Sequence, residues 1–236
     1  MSSVIAELLK VNPTIRCKVL ERVNRFVVNI SIGDRVLKAY LCNTGRLLDY
    51  LGKGREGFCT ELVSPSKLRY RLFAVRDDEL GAIIDTHLQL KAFERAMNLI
   101  PWLKMCRILR RNVRVGSSLL DYLLECGGEK VFLEVKSAVL RIGNYASYPD
   151  CPSIRARKQI KDLIKAAEKG CRGMLLFIAA LPKVSAFKPN FQADQELSTL
   201  LLTAKDRGIE IRAIAMAYDP VKSSIYLSDP ELEVEL

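Results

Sequence analysis

Asp121, Glu134 and Lys136 lie on either side of the turn Cys126-Gly127-Gly128-Glu129. Gly-Gly between two strand-like runs, Leu119 to Glu125 and Lys130 to Leu140, predicts a two-residue β-hairpin. With Cys126 opposite Glu129, Glu125 faces Lys130, Leu123 faces Phe132, and Asp121 lies opposite Glu134 on the same face. Directly opposed residues have Cβ atoms about 4.5 to 5.5 Å apart, and like charges there destabilise the fold. A hard divalent cation compensates them, because Mg²⁺ is commonly held by one or two carboxylates and completes its shell with waters and phosphate. Lys136 points to the same side as Glu134, while Leu133 and Val135 point to the other. A metal, a general base or a water-orienting ammonium, and a phosphate-binding surround are the parts of metal-assisted phosphodiester hydrolysis. The same three residues are also compatible with a surface ion cluster that adds little to stability.

Phosphate chemistry needs cations, and the chain has them. Its 236 residues carry a net charge of +10, with a pI near 9.3. Residues 1–86 hold 14 basic and 10 acidic groups, residues 87–172 hold 17 and 8, and residues 173–236 hold 6 and 9. Concentration of the excess in the middle segment is the footprint of a phosphate-binding surface. No helix pairs a basic face with a large aromatic one, so nucleic acid ranks ahead of a membrane surface. A predicted helix from Ser153 to Lys169 sets Arg155, Lys158, Lys165 and Lys169 on one side and Ala156, Ile160, Leu163, Ile164 and Ala167 on the other. Earlier, Lys67, Arg69 and Arg71 alternate with Leu68, Tyr70 and Leu72, which places three cations on one face of a strand. The strand pattern serves equally as a solvated face, and a solvated basic face is the commoner use of the helix pattern.

The elements around these residues fall into two parts. From Ile15 to about Asp85, short strands are broken by Ile32-Gly33-Asp34, Asn43-Thr44-Gly45 and Gly52-Lys53-Gly54, a pattern that reads as a small β-barrel. Gly52 to Gly57 matches G-x-G-x-x-G, but Phe58 to Val63 continues as a strand, and the helix that a dinucleotide site requires is missing. Beyond the barrel, Leu88 to Leu99 reads as a helix with Leu88, Ala92, Met97 and Leu99 toward the core, stopped by Pro101. After the hairpin and the basic helix come a buried strand from Met174 to Ala180, a helix from Ala193 to Lys205 and a strand from Ile209 to Ala217. Strands alternating with helices predict an α/β domain with a mixed sheet, over residues 86–236, joined to a barrel over residues 1–85.

Seven cysteines are scattered singly with one histidine, His87, which predicts neither a zinc site nor a disulfide framework but buried or free thiols. The longest apolar run, Met174 to Leu181, is far short of the roughly 18 residues of a membrane span. No charged-then-apolar leader opens the chain, and a cytoplasmic protein is expected.

The sequence resembles the sugar fermentation stimulation protein family. The resemblance rests on Val23-Asn24-Arg25-Phe26, Cys42-Asn43-Thr44-Gly45-Arg46, Asp121-Tyr122, Phe132-Leu133-Glu134-Val135-Lys136-Ser137, Tyr148-Pro149-Asp150, and Arg155 with Lys158. It implies an N-terminal OB-fold barrel joined to a nuclease-like domain of the PD-(D/E)XK class that binds DNA, with RNA as an alternative. It also implies Mg²⁺ or Mn²⁺ held by Asp121, Glu134 and Val135, with Lys136 placing the attacking water. Phosphates would be gripped by Arg25, Arg46, Lys67, Arg69, Arg71, Arg155, Lys158 and Lys165, and bases stacked on Phe26 or Tyr70. The family usually has Arg at Leu119, Glu at Arg95, and Gly and His at Ala156 and Gln159, so the surround of the metal site is altered here. Two further readings stand beside a nuclease: a DNA-binding regulator of sugar metabolism that does not cleave, and a small-molecule enzyme, which would need a convergent pocket that no motif announces.

Overall fold

The computed structural model describes residues 5–63 and 68–236. Its strands are β1 Ala6–Lys10, β2 Ile15–Asn24, β3 Val27–Ile32, β4 Arg35–Leu41, β5 Glu56–Glu61, β6 Tyr70–Asp77 and β7 Leu80–Ile83, followed by helix α1 Thr86–Ala96. Then come β8 Cys106–Val115, β9 Ser118–Cys126, β10 Glu129–Ser137, β11 Leu140–Ile142, β12 Tyr145–Tyr148 and helix α2 Ile154–Ala167. The chain ends with β13 Arg172–Ala179, β14 Ala186–Pro189, α3 Gln195–Asp206, β15 Glu210–Asp219 and β16 Ser224–Val234.

Five strands close the predicted barrel. β2 pairs with β3, β3 with β4, β4 with β6, β6 with β5, and β5 back with β2, so every edge is taken. Cys17, Val19, Val28, Ile30, Ala39, Leu41 and Leu72 are buried, as inward positions of alternating strands must be. Ala6–Lys10, which falls within the expected 1–85 unit, pairs instead with β16.

The rest is a mixed α/β sheet. β8, β9 and β10 form an antiparallel run, β10, β13 and β15 are parallel, and β16 closes the order antiparallel to β15. α2 lies against β9 and β13, and α3 against β15 and α2. One continuous core runs from the barrel into this sheet. Tyr218 of β15 joins them: its ring centroid lies 5.1 Å from Phe58 and 4.9 Å from Phe73. Among the described residues no helix is long and apolar enough to cross a membrane.

Several expectations are corrected. The basic stretch through Arg107, Arg110, Arg111 and Arg114, for which the sequence predicts no element, is strand β8, whose alternation is masked by charged side chains and a register shift between Ile108 and Arg110. Its register sets Cys106 opposite Cys126, and these two thiols form a disulfide rather than remaining free. The helix expected to reach Leu99 ends at Ala96 and continues as a tight 3₁₀ turn. Ala92 and Met97 stay buried, but the tighter winding leaves Leu99 exposed. β11, β12, β14 and β16 went unread, being short or, in β16, interrupted by Asp229-Pro230.

Candidate active site

The hairpin register counted from the sequence holds: Cys126 faces Glu129, Glu125 faces Lys130, Leu123 faces Phe132 and Tyr122 faces Leu133. Gly127 and Gly128 have φ of 60° and 90°, as a tight hairpin turn with two left-handed central residues requires. Past Leu133 the ladder stops, and side chains replace its hydrogen bonds. The Asp121 N–H donates to Glu134 Oε2 (3.3 Å), and the Val135 N–H donates to Asp121 Oδ2 (2.9 Å). Each carboxylate thus reaches across to the opposite strand and satisfies a backbone donor there.

These groups are not a surface cluster, since Glu134 is 3% exposed and Lys136 8%. Lys136 Nζ donates to Glu134 Oε1 (2.6 Å) and to Gln159 Oε1 (2.7 Å). Gln159 Nε2 in turn donates to the Leu119 carbonyl (2.9 Å). A carbonyl accepts only, so this bond fixes the amide with its oxygen toward Lys136.

Burial dominates the electrostatics. It pushes Glu134 up to about 7, with the attraction of Lys136 opposing and the neighbouring Asp121 adding to the rise. It raises Asp121 as well, against the Val135 N–H, Lys136 and Arg155. For Lys136, burial disfavours the charge, yet Glu134, Tyr148 and Asp121 outweigh it and hold the ammonium above its ordinary range. One buried and one half-buried carboxylate face one buried ammonium, and one negative charge is left over. Among the described residues no third Asp, Glu, His or Cys joins them.

A cavity of about 530 Å³ opens above this cluster, lined from both halves of the chain. Arg25, Phe26, Tyr40 and Thr44 border it from the barrel, and Asp121, Glu134, Val135, Lys136, Arg155 and Gln159 from the sheet and α2. It is a convergent pocket that no motif announced. The loops are tied across the seam: Asp150 Oδ2 accepts from the Leu47 N–H (2.9 Å), and a side chain at Gly45 would meet that carboxylate at 2.6 Å.

The expected phosphate-binding cations divide. Arg25 and Arg155 line the cavity, Arg46 is exposed on the neighbouring loop, and Lys158 and Lys165 are exposed along α2. None of these five has an ion pair among the described residues. Arg69 and Arg71 differ. Arg69 pairs with Glu61 (3.1 Å), and Arg71 is gripped through two nitrogens by the buried Asp85, the N-cap of α1. Neither is an open cation, because the sequence alternation shows the strand's polar face but not the carboxylates opposite it. Lys67 lies outside the described residues. Of the two rings, Phe26 is 47% exposed at the cavity mouth, whereas Tyr70 is half-buried and does not line it.

Sequence reasoning missed His87, Asn112 and Tyr148 as cavity-lining residues. Tyr148 carried a signal, in the block Tyr148-Pro149-Asp150; His87 sits on the first turn of a helix read only for its apolar side.

Two family models match the chain. The model described as the sugar fermentation stimulation protein RE domain matches residues 86–222, and the one described as the SfsA N-terminal OB domain matches residues 20–84. This chain belongs to the sugar fermentation stimulation protein family. A sugar fermentation stimulation protein homolog of Pyrococcus furiosus is 46% identical over 230 residues, covering 97% of this chain and 100% of the relative. One of Archaeoglobus fulgidus is 41% identical over 228 residues, covering 97% and 99%. The solved structure of Pyrococcus furiosus SfsA in complex with Ca²⁺ superposes with a TM-score of 0.94 at 46% identity, covering 98% of this chain and all of that one.

The positions at which this SfsA-family chain departs from the usual residues now have places. Gln159 is the partner of Lys136, the Leu119 carbonyl orients Gln159, and Ala156 lines the cavity on the first turn of α2. Arg95 is exposed on α1. Its neighbour Glu94 is committed to Arg111, with two contacts of 2.8 Å, and to the Tyr122 hydroxyl at 3.0 Å.

Proposed function

We propose that this chain cleaves DNA phosphodiester bonds with a divalent metal, Mg²⁺ or Mn²⁺, held by Asp121, Glu134 and the backbone carbonyl of Val135. The observation that carries the reading is the uncompensated charge of two carboxylates, Glu134 buried and Asp121 half-buried, beside one buried ammonium, on the floor of a cavity in a basic protein. Ordinary structural ion pairs match their charges; this group has an oxygen donor set suited to a hard cation that completes its shell with water and phosphate. The Pyrococcus furiosus relative was solved with Ca²⁺, a cation of the same oxygen-seeking class. Once bound, such a metal neutralises phosphate charge and makes water a better nucleophile.

The chain's own groups supply the positioning. Lys136 is an ammonium and hence no base; two of its three N–H groups go to Glu134 and Gln159, leaving one to orient a water. Arg155, beside the cluster, and Arg25, across the cavity, bracket the path of a phosphate backbone. Arg46, Lys158 and Lys165 extend the basic surface away from it.

The test is incubation of the purified protein with single-stranded, duplex and branched DNA, with Mg²⁺, Mn²⁺ or EDTA. Products are expected with metal and none with EDTA. Lys136→Met and Glu134→Ala are each expected to lower the rate by about 10²- to 10³-fold while DNA binding persists. Absence of metal-dependent products across the whole set would leave the second reading, a DNA-binding regulator that does not cleave.

A further inference from the structure

We propose that the cavity takes a single strand of DNA, with one base stacked on Phe26 and the adjoining phosphate turned down toward Asp121 and Glu134, and that intact duplex is excluded. This rests on the nuclease reading of the same site and names its substrate class.

The first support is depth. The carboxylates lie on the floor of a cavity walled by the barrel on one side and α2 on the other, and Glu134 is almost wholly covered. A scissile phosphate must descend between those walls. At about 530 Å³ the space falls within the about 300–1,000 Å³ typical of small-ligand pockets, room for a nucleotide but not for a double helix. Duplex DNA, with a persistence length of about 150 base pairs, pays a deformation energy to bend one phosphate inward, whereas a single strand turns freely.

Phe26 is the second support. An exposed phenylalanine costs solubility, and this one sits at the mouth of the cavity on the turn between β2 and β3. Its backbone is anchored there: its N–H donates to Asn24 Oδ1 (2.9 Å), its carbonyl accepts from the Leu41 N–H (2.9 Å), and Arg22 donates to the carbonyl of Arg25 (3.0 Å). The Arg25 guanidinium lies 6.0 Å from the ring centroid. An open ring on an anchored backbone with a cation beside it is what sequence-tolerant single-strand binding uses, because every base has a face to stack.

The third support is the placing of open cations: among the described residues the unpaired ones that border the cavity are Arg25 and Arg155, while Arg69 and Arg71, paired with Glu61 and Asp85, do not line it.

The experiment measures binding of an oligonucleotide, single-stranded and as its blunt duplex, by the full chain in Ca²⁺ at fixed ionic strength, with 2-aminopurine as an internal probe. The single strand is expected to bind at least about ten-fold more tightly, with the probe quenched. Phe26→Ala is expected to weaken single-strand binding by about 5- to 100-fold and abolish quenching, while Phe26→Tyr restores both. Equal or tighter duplex binding, or a Phe26→Ala variant with unchanged affinity, overturns the proposal. Mg²⁺-dependent cleavage of both forms is read separately. Single-strand preference without any cleavage sinks the nuclease reading alone; duplex cleaved as fast as single strand sinks this inference alone.

Discussion

On the barrel, Arg71 is gripped by Asp85 and Arg69 by Glu61; on the hairpin, Glu134 and Lys136 hold each other while Asp121 has only a backbone N–H and the more distant pull of Lys136 and Arg155. Both regions show the same thing in sequence, charged residues alternating with apolar ones along a strand. In the fold they are opposites. These two barrel cations are matched one for one, so their charge is consumed in holding the chain together. The hairpin group carries a surplus where water is scarce. Function is read from the surplus, not from the density of charge.

The comparison breaks first at Arg71. Its partner Asp85 is fully buried and also caps α1 through the Leu88 N–H (2.8 Å). Removing the guanidinium strands that carboxylate, and Arg71→Ala is expected to destabilise the chain by about 3 kcal/mol in denaturant unfolding. Arg69→Ala, whose pair lies in solvent, is expected to change stability by no measurable amount. If Arg71→Ala unfolds like the wild type, the barrel pair is not structural and the contrast fails.

A slightly smaller effect sharpens the other side. Glu134 stands at about 7 in the folded chain against an ordinary value of 4.5. A raised carboxylate binds its proton more tightly folded than unfolded, so its contribution is fully present below 4.5 and is lost as pH rises through about 7. Asp121, also raised, acts with the same sign. In EDTA, wild-type stability is therefore expected to lose up to about 3 kcal/mol between pH 4.5 and 7 from Glu134. Glu134→Gln lacks that slope, and the measurement is the melting temperature of both proteins across that range. Parallel curves would show that Glu134 is no stressed acid and that the surplus charge is illusory.

How far the site was legible follows from the same contrast. The Gly127-Gly128 turn fixed a register that could be counted, and the count correctly brought Asp121 and Glu134 together. The barrel and the α/β alternation were legible because apolar periodicity and turn residues are local signals. Arg71 misled because its partner is 14 residues away, beyond β7, and alternation contains no information about what a polar face meets. β8 was hidden by its own arginines, and with it the pairing of Cys106 and Cys126. The burial of Lys136 was also out of reach, since it depends on α2 folding over the hairpin and on Gln159, 23 positions on. The depth of the cleft comes from two halves meeting, which no motif encodes.

The smallest expected effect isolates an open cation from a matched one. Arg155 borders the cavity without an ion pair among the described residues, so a phosphate that binds there displaces only counterions. For a single strand, each such contact contributes about 0.7 to the slope of log affinity against log salt. Arg155→Ala is expected to reduce the slope by about that amount and weaken binding a few-fold at moderate salt, while leaving the fold intact. Arg69→Ala is expected to leave the slope unchanged, because a phosphate would first have to displace Glu61. Fluorescence anisotropy over a salt series checks both. Equal losses of slope would mean that ion-paired and open arginines are equally available to DNA, and the path of the strand would then have to be redrawn along the barrel wall instead of through the cleft.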